Sequence, residues 1–414
     1  MSDIASSALA AQPGSTVLSH ISGNMRFDVE LECWLNARQW RIRLNELSFK
    51  LEIHQKDRVS PLTDERLSEI QFQFVHASNG KEPSRDKLAN ALALIGERRS
   101  YHPVREYLKY LQWDGVQRLD TWVSTFAGAK DTNLTRAFSR KSLCAAVRRV
   151  MQPGCKFDHV LVFQGQQDLG KSSLIRALSP DESWFTDQAK VGADSKETIE
   201  RTSGAWIVEF PELDGLSKRD ANAVKSFITT TSDRARPAYG RYTIDRPRQF
   251  VLFGTTNERA FLNDHTGNRR WWIVGVGKCN VKGLEDIRDQ LWAEAVLAEP
   301  EEKLWLDNPA LKADAAAMTD ASADFGPWLE LLADRIPDGS IKISAIDAWR
   351  LVGIDAHDVN KISPGHRTLL RKALVGLGFD PDPKNIRRHG KQIHAYVRGN
   401  PELANWWHAG QTDW

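Results

Sequence analysis

The stretch FQGQQDLGKSSLIRAL, residues 163–178, decides the fold. It overlaps HVLVFQG (His159–Gly165), an apolar, β-branched run with the character of a buried strand. Its second half, KSSLIRALS, has the character of a helix. Between the two lies Gly165-Gln166-Gln167-Asp168-Leu169-Gly170-Lys171-Ser172, a full G-x-x-x-x-G-K-S followed by Ser173. Glycines at those places let backbone N–H groups turn inward around phosphate oxygens at a helix start. Residues 165–173 are therefore expected to bind ATP, with Lys171 on the β- and γ-phosphates and Ser172 on Mg²⁺. A chance match in a surface loop would lack the strand before it and the helix after it.

More chemistry follows in order. AWIVEFPELDGL opens a second apolar strand, Ala205–Phe210, carrying Glu209 at its end and Glu212 just beyond. A carboxylate at a strand tip beside the phosphate loop orders Mg²⁺, and a second polarises the attacking water. Glu212 is expected as the base and Glu209 as the metal partner, with the swapped assignment left open. RQFVLFGTTN gives a third strand ending in Thr255, Thr256 and Asn257. Asn257 is placed to orient the lytic water or sense the γ-phosphate. In DHTGNRRWWIVGV, Arg269 and Arg270 precede a fourth strand anchored by Trp271 and Trp272. Either arginine suits a finger reaching a neighbouring subunit's nucleotide, and rim or DNA contacts are the rival roles.

Composition bounds the rest. The 414 residues suggest two or three domains. Formal net charge is only +2, so any polyanion contact must come from local clusters. Cys33, Cys144, Cys155 and Cys279 are scattered and lack metal-site spacing, which fits a reducing compartment. There is no signal peptide pattern and no apolar run of about 18 residues. A cytoplasmic protein without a membrane partner is expected.

The ordered series resembles the virulence-associated protein E family of phages, prophages and mobile islands, itself similar to superfamily 3 helicases among ring-forming P-loop ATPases. The stretches that carry the resemblance are YHPVREYLKYLQWDGVQRLDTW, PGCKFDHVLVFQGQQDLGKSSLIRAL, WFTD (Trp184–Asp187), WIVEFPELDGLSKRDANAVKSFITTTSDRARPAYGR, FGTTN and FLNDHTGNRRWWIV, over about residues 100–275. It implies that Gly165, Gly170, Lys171 and Ser172 are Walker A, Glu209 and Glu212 Walker B, and Asn257 the sensor. It also implies that the segment after Lys225, with Arg234, Arg236 and Arg241, lies near a ring channel that tracks a DNA strand. Phe210 and Pro211 separate the two acids, a departure from many helicases. The residues themselves agree in part, because basic side chains interleaved with a proline and aromatics suit phosphate contact and stacking.

The flanks complete the expectation. Residues 22–95 open with what reads as short alternating strands, followed by the helical run LTDERLSEIQFQFVHA, and hold no carboxylate cluster of a polymerising primase. Leu134–Lys156 reads as a helix with six Lys or Arg and no acid, its charge meeting DNA or solvent. After residue 280 the pattern is helical, then KISAIDAWRLVGI and GHRTLLRKALVGLGF read as two helices and KNIRRHGKQIHAYVRG as a strand–turn–strand ribbon. That order is winged-helix-like, with Arg367, Arg387, Arg388 and Lys391 as DNA contacts. The expected architecture is α/β: a flexible tail (1–20), a small α+β domain (21–98), a helical region (99–157), a P-loop ATPase core (158–305), and a helical linker with a winged-helix-like domain (306–414). The expected function is an ATP-dependent DNA helicase or translocase replicating a phage or mobile element in a bacterial host. Its partners would be single-stranded or forked DNA, further copies in a ring, hexameric by preference, and a separate primase or initiator. The rivals are a regulatory or interference factor that binds ATP and DNA without unwinding, and, more remotely, a small-molecule kinase.

Overall fold

The computed structural model describes residues 26–56, 58–78, 80–189, 195–211, 213, 218–235, 244–258, 262, 268–322, 328–354, 363–382, 386–388 and 391–408. The expected tail, Glu212, Arg236 and Arg241 lie outside the described residues. Contacts divide the chain into two units. One holds residues up to Leu213 with Asn222–Asn257 and Arg269–Ala315; the other holds Ala316 onward with Asp214–Ala221 and Glu258–Asn268.

The first unit begins with a helix, Phe27–Ala37, where the sequence reads as strands. Leu31, Trp34 and Leu35 are buried on one stripe with Phe27 beside them, so a period near 3.6 overrides the apparent alternation. Strands β1 (Trp40–Asn45), β2 (Lys50–Gln55) and β3 (Arg58–Pro61) then form an antiparallel sheet. Helices Asp64–Ala77 and Arg85–Arg98, capped by the Thr63 and Ser84 hydroxyls, pack Phe74, Leu92 and Ile95 with Ile42 and Ile53.

A buried clasp ties this module to the rest of the unit. His102 Nδ1 accepts from Arg105 N, capping helix Pro103–Tyr110. The proton therefore sits on Nε2, which donates to Gln249 Oε1 at 2.6 Å. Gln249 Nε2 donates in turn to the Glu46 carbonyl at 2.8 Å.

The helix Asn133–Met151 is the basic one; Lys141, Arg148 and Arg149 turn inward, while Arg136 is exposed beside Asp131 and Arg140 pairs with Asp120. Lys141 Nζ donates to Glu302 Oε1 at 2.6 Å and to the Lys303 carbonyl at 2.7 Å. Arg148 pairs with Glu299, and Arg149 Nη2 donates to the Phe157 carbonyl at 2.8 Å. Lys141 and Arg149 are buried, so these two coat neither a wet face nor a DNA-binding one.

Strands β4 (Val160–Gln164), β5 (Phe185–Thr186), β6 (Ile207–Phe210), β9 (Val251–Thr256) and β10 (Trp271–Gly275) form a parallel sheet in the order β10-β4-β9-β6-β5. Between β6 and β9, Ser232–Ala235 (β7) and Ile244–Pro247 (β8) make a separate antiparallel hairpin. β4, β6 and β9 are buried along nearly their whole length, as parallel strands covered on both faces must be. Trp206 bonds the Ala146 carbonyl, Trp292 bonds the Leu178 carbonyl, and their rings lie 4.3 Å apart. These contacts fix helices Asn133–Met151 and Val281–Ala298 against the sheet. The molecule is thus mixed α/β around a five-stranded parallel sheet.

In the second unit, helices Leu329–Ala333, Ala345–Leu351 and Pro364–Gly376 pack on strands β11 (Ile341–Ser344), β12 (Phe379–Pro381), β15 (Ala395–Arg398) and β16 (Asn405–Trp407). The sheet order is β12-β15-β11-β16. Strands β13 (Ile386–Arg388) and β14 (Lys391–Ile393) form a hairpin. The first expected helix here is half strand, because Ile341–Ser344 joins the sheet and Ser344 caps the helix by accepting from Asp347 N at 3.0 Å. Among the described residues no helix is long and apolar enough to cross a membrane.

Burial pushes His102 down to about 4, and does the same to His159. The folded chain therefore rejects a proton that the unfolded chain accepts near the ordinary imidazole value. Stability from these groups is complete above about pH 6.5 and is lost as pH falls toward 4. Urea titrations at neutral and acid pH are expected to show this loss. In His102→Asn, which retains the cap but not the N–H to Gln249, the slope between pH 6 and 5 is expected to be shallower by about 1 kcal/mol per pH unit; an unchanged slope contradicts the assignment.

Candidate active site

β4 ends at Gln164, and the chain turns at Gly165 into the glycine-bearing loop. Gly165 N donates to the Thr256 carbonyl at 3.2 Å, and Val276 N donates to the Gln164 carbonyl at 2.8 Å. A Cβ on Gly165 would stand 2.9 Å from Val276 O and 2.9 Å from Leu169 Cδ1, so close backbone approach demands glycine. Asp168 and Gly170 take left-handed conformations, φ 64° and 84°, and reverse the loop into helix Lys171–Ala177. Cys279 N bonds the Leu169 carbonyl and secures the loop's far side.

The helix start brings its side chains to the ends of β6 and β9. Lys171 Nζ donates to the carbonyls of Gly165 (2.8 Å) and Gln166 (2.6 Å) and to Asn257 Oδ1 (2.9 Å). Ser172 Oγ donates to Glu209 Oε1 at 2.6 Å, and Thr255 Oγ1 donates to the same oxygen at 2.9 Å. Glu209 is 0% exposed, and its Oε2 is buried without a hydrogen-bond partner among the described residues. Burial raises the Glu209 carboxyl, opposed by the Ser172 and Thr255 hydroxyls, and the neighbouring charge of Asp187 raises it further. A cleft of about 500 Å³ opens over Gln167–Ser173, Pro211 and Thr255–Asn257. The structure thus gathers Gly165–Ser173, Glu209 and Asn257, which are distant in sequence. Mg²⁺ fits this donor set: an oxygen-only group with one buried carboxylate oxygen lacking a proton donor.

The other expected residues sit elsewhere. Arg269 and Arg270 form a short 3₁₀ turn before β10, Arg269 exposed and its carbonyl 3.2 Å from His159 Nδ1. Trp271 pairs with Val160 and Gly275 with Gln164, so these arginines lie at the opposite end of the sheet from their own loop. Five strand residues separate the two ends by about 16 Å, beyond the reach of a side chain. Lys225, on helix Lys218–Thr229, is 8% exposed. Arg234 is exposed on β7 and pairs with Asp245 on β8 at 2.8 Å. Arg248, at the hairpin root, binds Asp233 through Nε (2.8 Å) and Nη2 (2.7 Å) and lies over the Phe227 ring. Arg367 is exposed on Pro364–Gly376, while Arg387, Arg388 and Lys391 belong to the β13–β14 hairpin. Thr255 contributes directly to the Glu209 environment, a role no spacing rule assigns.

Comparison with known proteins gives two findings. A family model described as the virulence-associated protein E-like domain matches residues 108–323, just over half of the chain. Among solved structures, the A form apo structure of the NrS-1 C terminal region is similar at 13% identity and a TM-score of 0.49, covering 89% of this chain and 99% of that one. The apo structure of the NrS-1 C terminal region (305–718) is similar at 13% identity and 0.48, covering 91% and 100%. No curated protein matches.

Gly165→Ala is expected to destabilise the chain by about 1–3 kcal/mol, because Val276 O is backbone and cannot swing aside. Chemical denaturation measures this, and wild-type stability in the variant contradicts the packing argument.

Proposed function

This chain belongs to the virulence-associated protein E-like family, and from that premise we propose that it is an ATP-driven motor on DNA, replicating a phage or mobile element within a bacterial host. The observation that carries the reading is the meeting of Lys171, Ser172, Glu209 and Asn257 at one end of a parallel sheet. On this reading the sheet is a P-loop ATPase core, and residues 165–173 cradle the triphosphate of ATP. Lys171 exchanges the Gly165 and Gln166 carbonyls for β- and γ-phosphate oxygens, since its three protons suit either set. Ser172 and Glu209 would hold Mg²⁺, which would supply positive charge to the phosphate oxygens. Glu209, buried and already bonded by two hydroxyls, suits the metal better than the base. Glu212 is then the base that takes the proton of the attacking water, and Asn257 orients that water. ADP and phosphate leave.

The arginine geometry supports assembly. Arg269 and Arg270 lie too far from their own loop to touch its nucleotide, which favours action in a neighbouring copy and a closed ring, a hexamer by preference. On this reading the second unit, whose Ala345–Leu351 and Pro364–Gly376 helices precede the β13–β14 hairpin, acts as a winged-helix-like DNA-binding domain, with Arg367, Arg387, Arg388 and Lys391 as the expected phosphate contacts. A separate primase or initiator supplies the remaining replication steps.

One observation favours the second reading, an ATP- and DNA-binding regulatory factor that does not unwind. Lys225 is 8% exposed and Arg234, though exposed, is paired with Asp245, so one expected strand-tracking charge is buried and another is neutralised in part. A motor hydrolyses ATP faster when single-stranded DNA is added, whereas a static binder does not.

Strand displacement on a forked duplex is the direct test. Wild type is expected to unwind, and Lys171→Ala to lose ATPase at least about 100-fold while still binding DNA. Unwinding that persists in Lys171→Ala removes the motor reading. Mixing Arg270→Ala with Lys171→Ala subunits is expected to restore part of the activity by pairing an intact loop with an intact finger. Failure at every ratio, in this mixture and with Arg269→Ala, removes the trans arginine.

A further inference from the structure

The WFTD segment, Trp184–Asp187, has no role in the account so far. Its backbone is firmly placed. The Trp184 carbonyl accepts from Trp206 N at 2.7 Å, and the Trp184 and Trp206 rings meet edge to face at 6.4 Å. β5 pairs with β6 in parallel, Phe185 beside Ile207 and Thr186 beside Val208. β5 ends at Thr186, so Asp187 lies one residue past the Thr186–Val208 pair at the strand end, as Glu209 lies one residue past Val208 on β6. Residues directly opposite on neighbouring strands share a face, and on this face Glu209 meets Ser172. Just after it, Gln188 N donates to Thr186 Oγ1 at 3.2 Å and turns the chain away, leaving Asp187 at the tip.

The local charges then conflict. Asp187 is exposed and has no cationic partner among the described residues. Glu209 is fully buried, with Oε2 unpartnered among the described residues. Two carboxylates brought level on neighbouring strands repel each other unless a cation lies between them. A divalent ion bound through oxygens removes the repulsion and uses the free Oε2.

We propose that Asp187 is a positioning residue of the nucleotide site, completing with Ser172 and Glu209 an oxygen set for the divalent cation that accompanies ATP and holding one of that ion's waters. This rests on the ATPase reading above and adds to it a carboxylate from the outermost strand of the sheet. Asp187 acts through water and does not contact the transferring phosphoryl. Its loss should therefore weaken metal binding while leaving metal-free nucleotide binding in place.

The test is Mn²⁺ titration, followed by electron paramagnetic resonance, of the full chain with a non-cleavable ATP analogue. Asp187→Asn is expected to weaken nucleotide-dependent Mn²⁺ binding about 10-fold or more, with Asp187→Glu restoring most of it. Analogue binding in EDTA is expected to stay within about 2-fold of wild type for both variants. Asp187→Ser repeats the measurement if the asparagine form unfolds. Wild-type Mn²⁺ affinity in Asp187→Asn overturns the proposal and leaves the ATPase reading standing. Absence of nucleotide-dependent Mn²⁺ binding in the wild-type chain overturns both.

Discussion

Glu209 Oε1 receives protons from Ser172 on the helix after the loop and from Thr255 on the central strand β9. Three separate chain segments meet at that oxygen, and the shape of the loop depends on it. The glycine turn can curl only because the helix beyond it is held at the strand ends, and this carboxylate helps to hold it there. Burying a carboxylate completely is costly unless its oxygens are satisfied. Here one oxygen is satisfied twice and the other accepts nothing among the described residues. That imbalance is the sign of a group arranged for a ligand and not for stability alone.

Around this centre the molecule is braced from two directions. Tryptophans lock the long helices to the sheet through indole N–H bonds to the Ala146 and Leu178 carbonyls. The small N-terminal module contacts the stretch between β8 and β9 through Gln249, and its Phe49 ring lies under the Arg246 guanidinium at 4.7 Å. A Cβ on Gly204 would come within 3.1 Å of Ser48 Cβ, so the module also abuts the approach to β6. The module therefore touches both the segment that leads to Glu209 and the base of the β7–β8 hairpin.

Much of the candidate site is legible in the sequence. Gly165, Gly170, Lys171 and Ser172 were legible by their spacing, and the structure gives the glycines a local reason: close backbone approach at Gly165 and a left-handed φ at Gly170. Glu209 and Asn257 were legible because each ends an apolar run that only a buried parallel strand explains. Other features were not legible, for physical reasons. Phe27–Ala37 alternates over a few residues by accident, and only the partners of Trp34 and Leu31 reveal its helical face. Ile341–Ser344 looks like the start of a helix, since the strand exists only by pairing with β15 and β16. Asp187 gains meaning from the register of a two-residue strand, a long-range property that local pattern does not encode. The charge of Asn133–Met151 was visible in the sequence, but its inward direction was not, because the acids that receive it lie about 150 residues away.

Those inward cations carry a practical corollary. Lys141 and Glu302, like Arg148 and Glu299, are largely shielded from water, and mobile counterions reach such couples poorly. Charges that greet a polynucleotide must instead stand in the open, where added electrolyte competes with them directly. Ionic strength therefore separates the two populations: added electrolyte competes with exposed charges first, while the shielded pairs of the scaffold are spared.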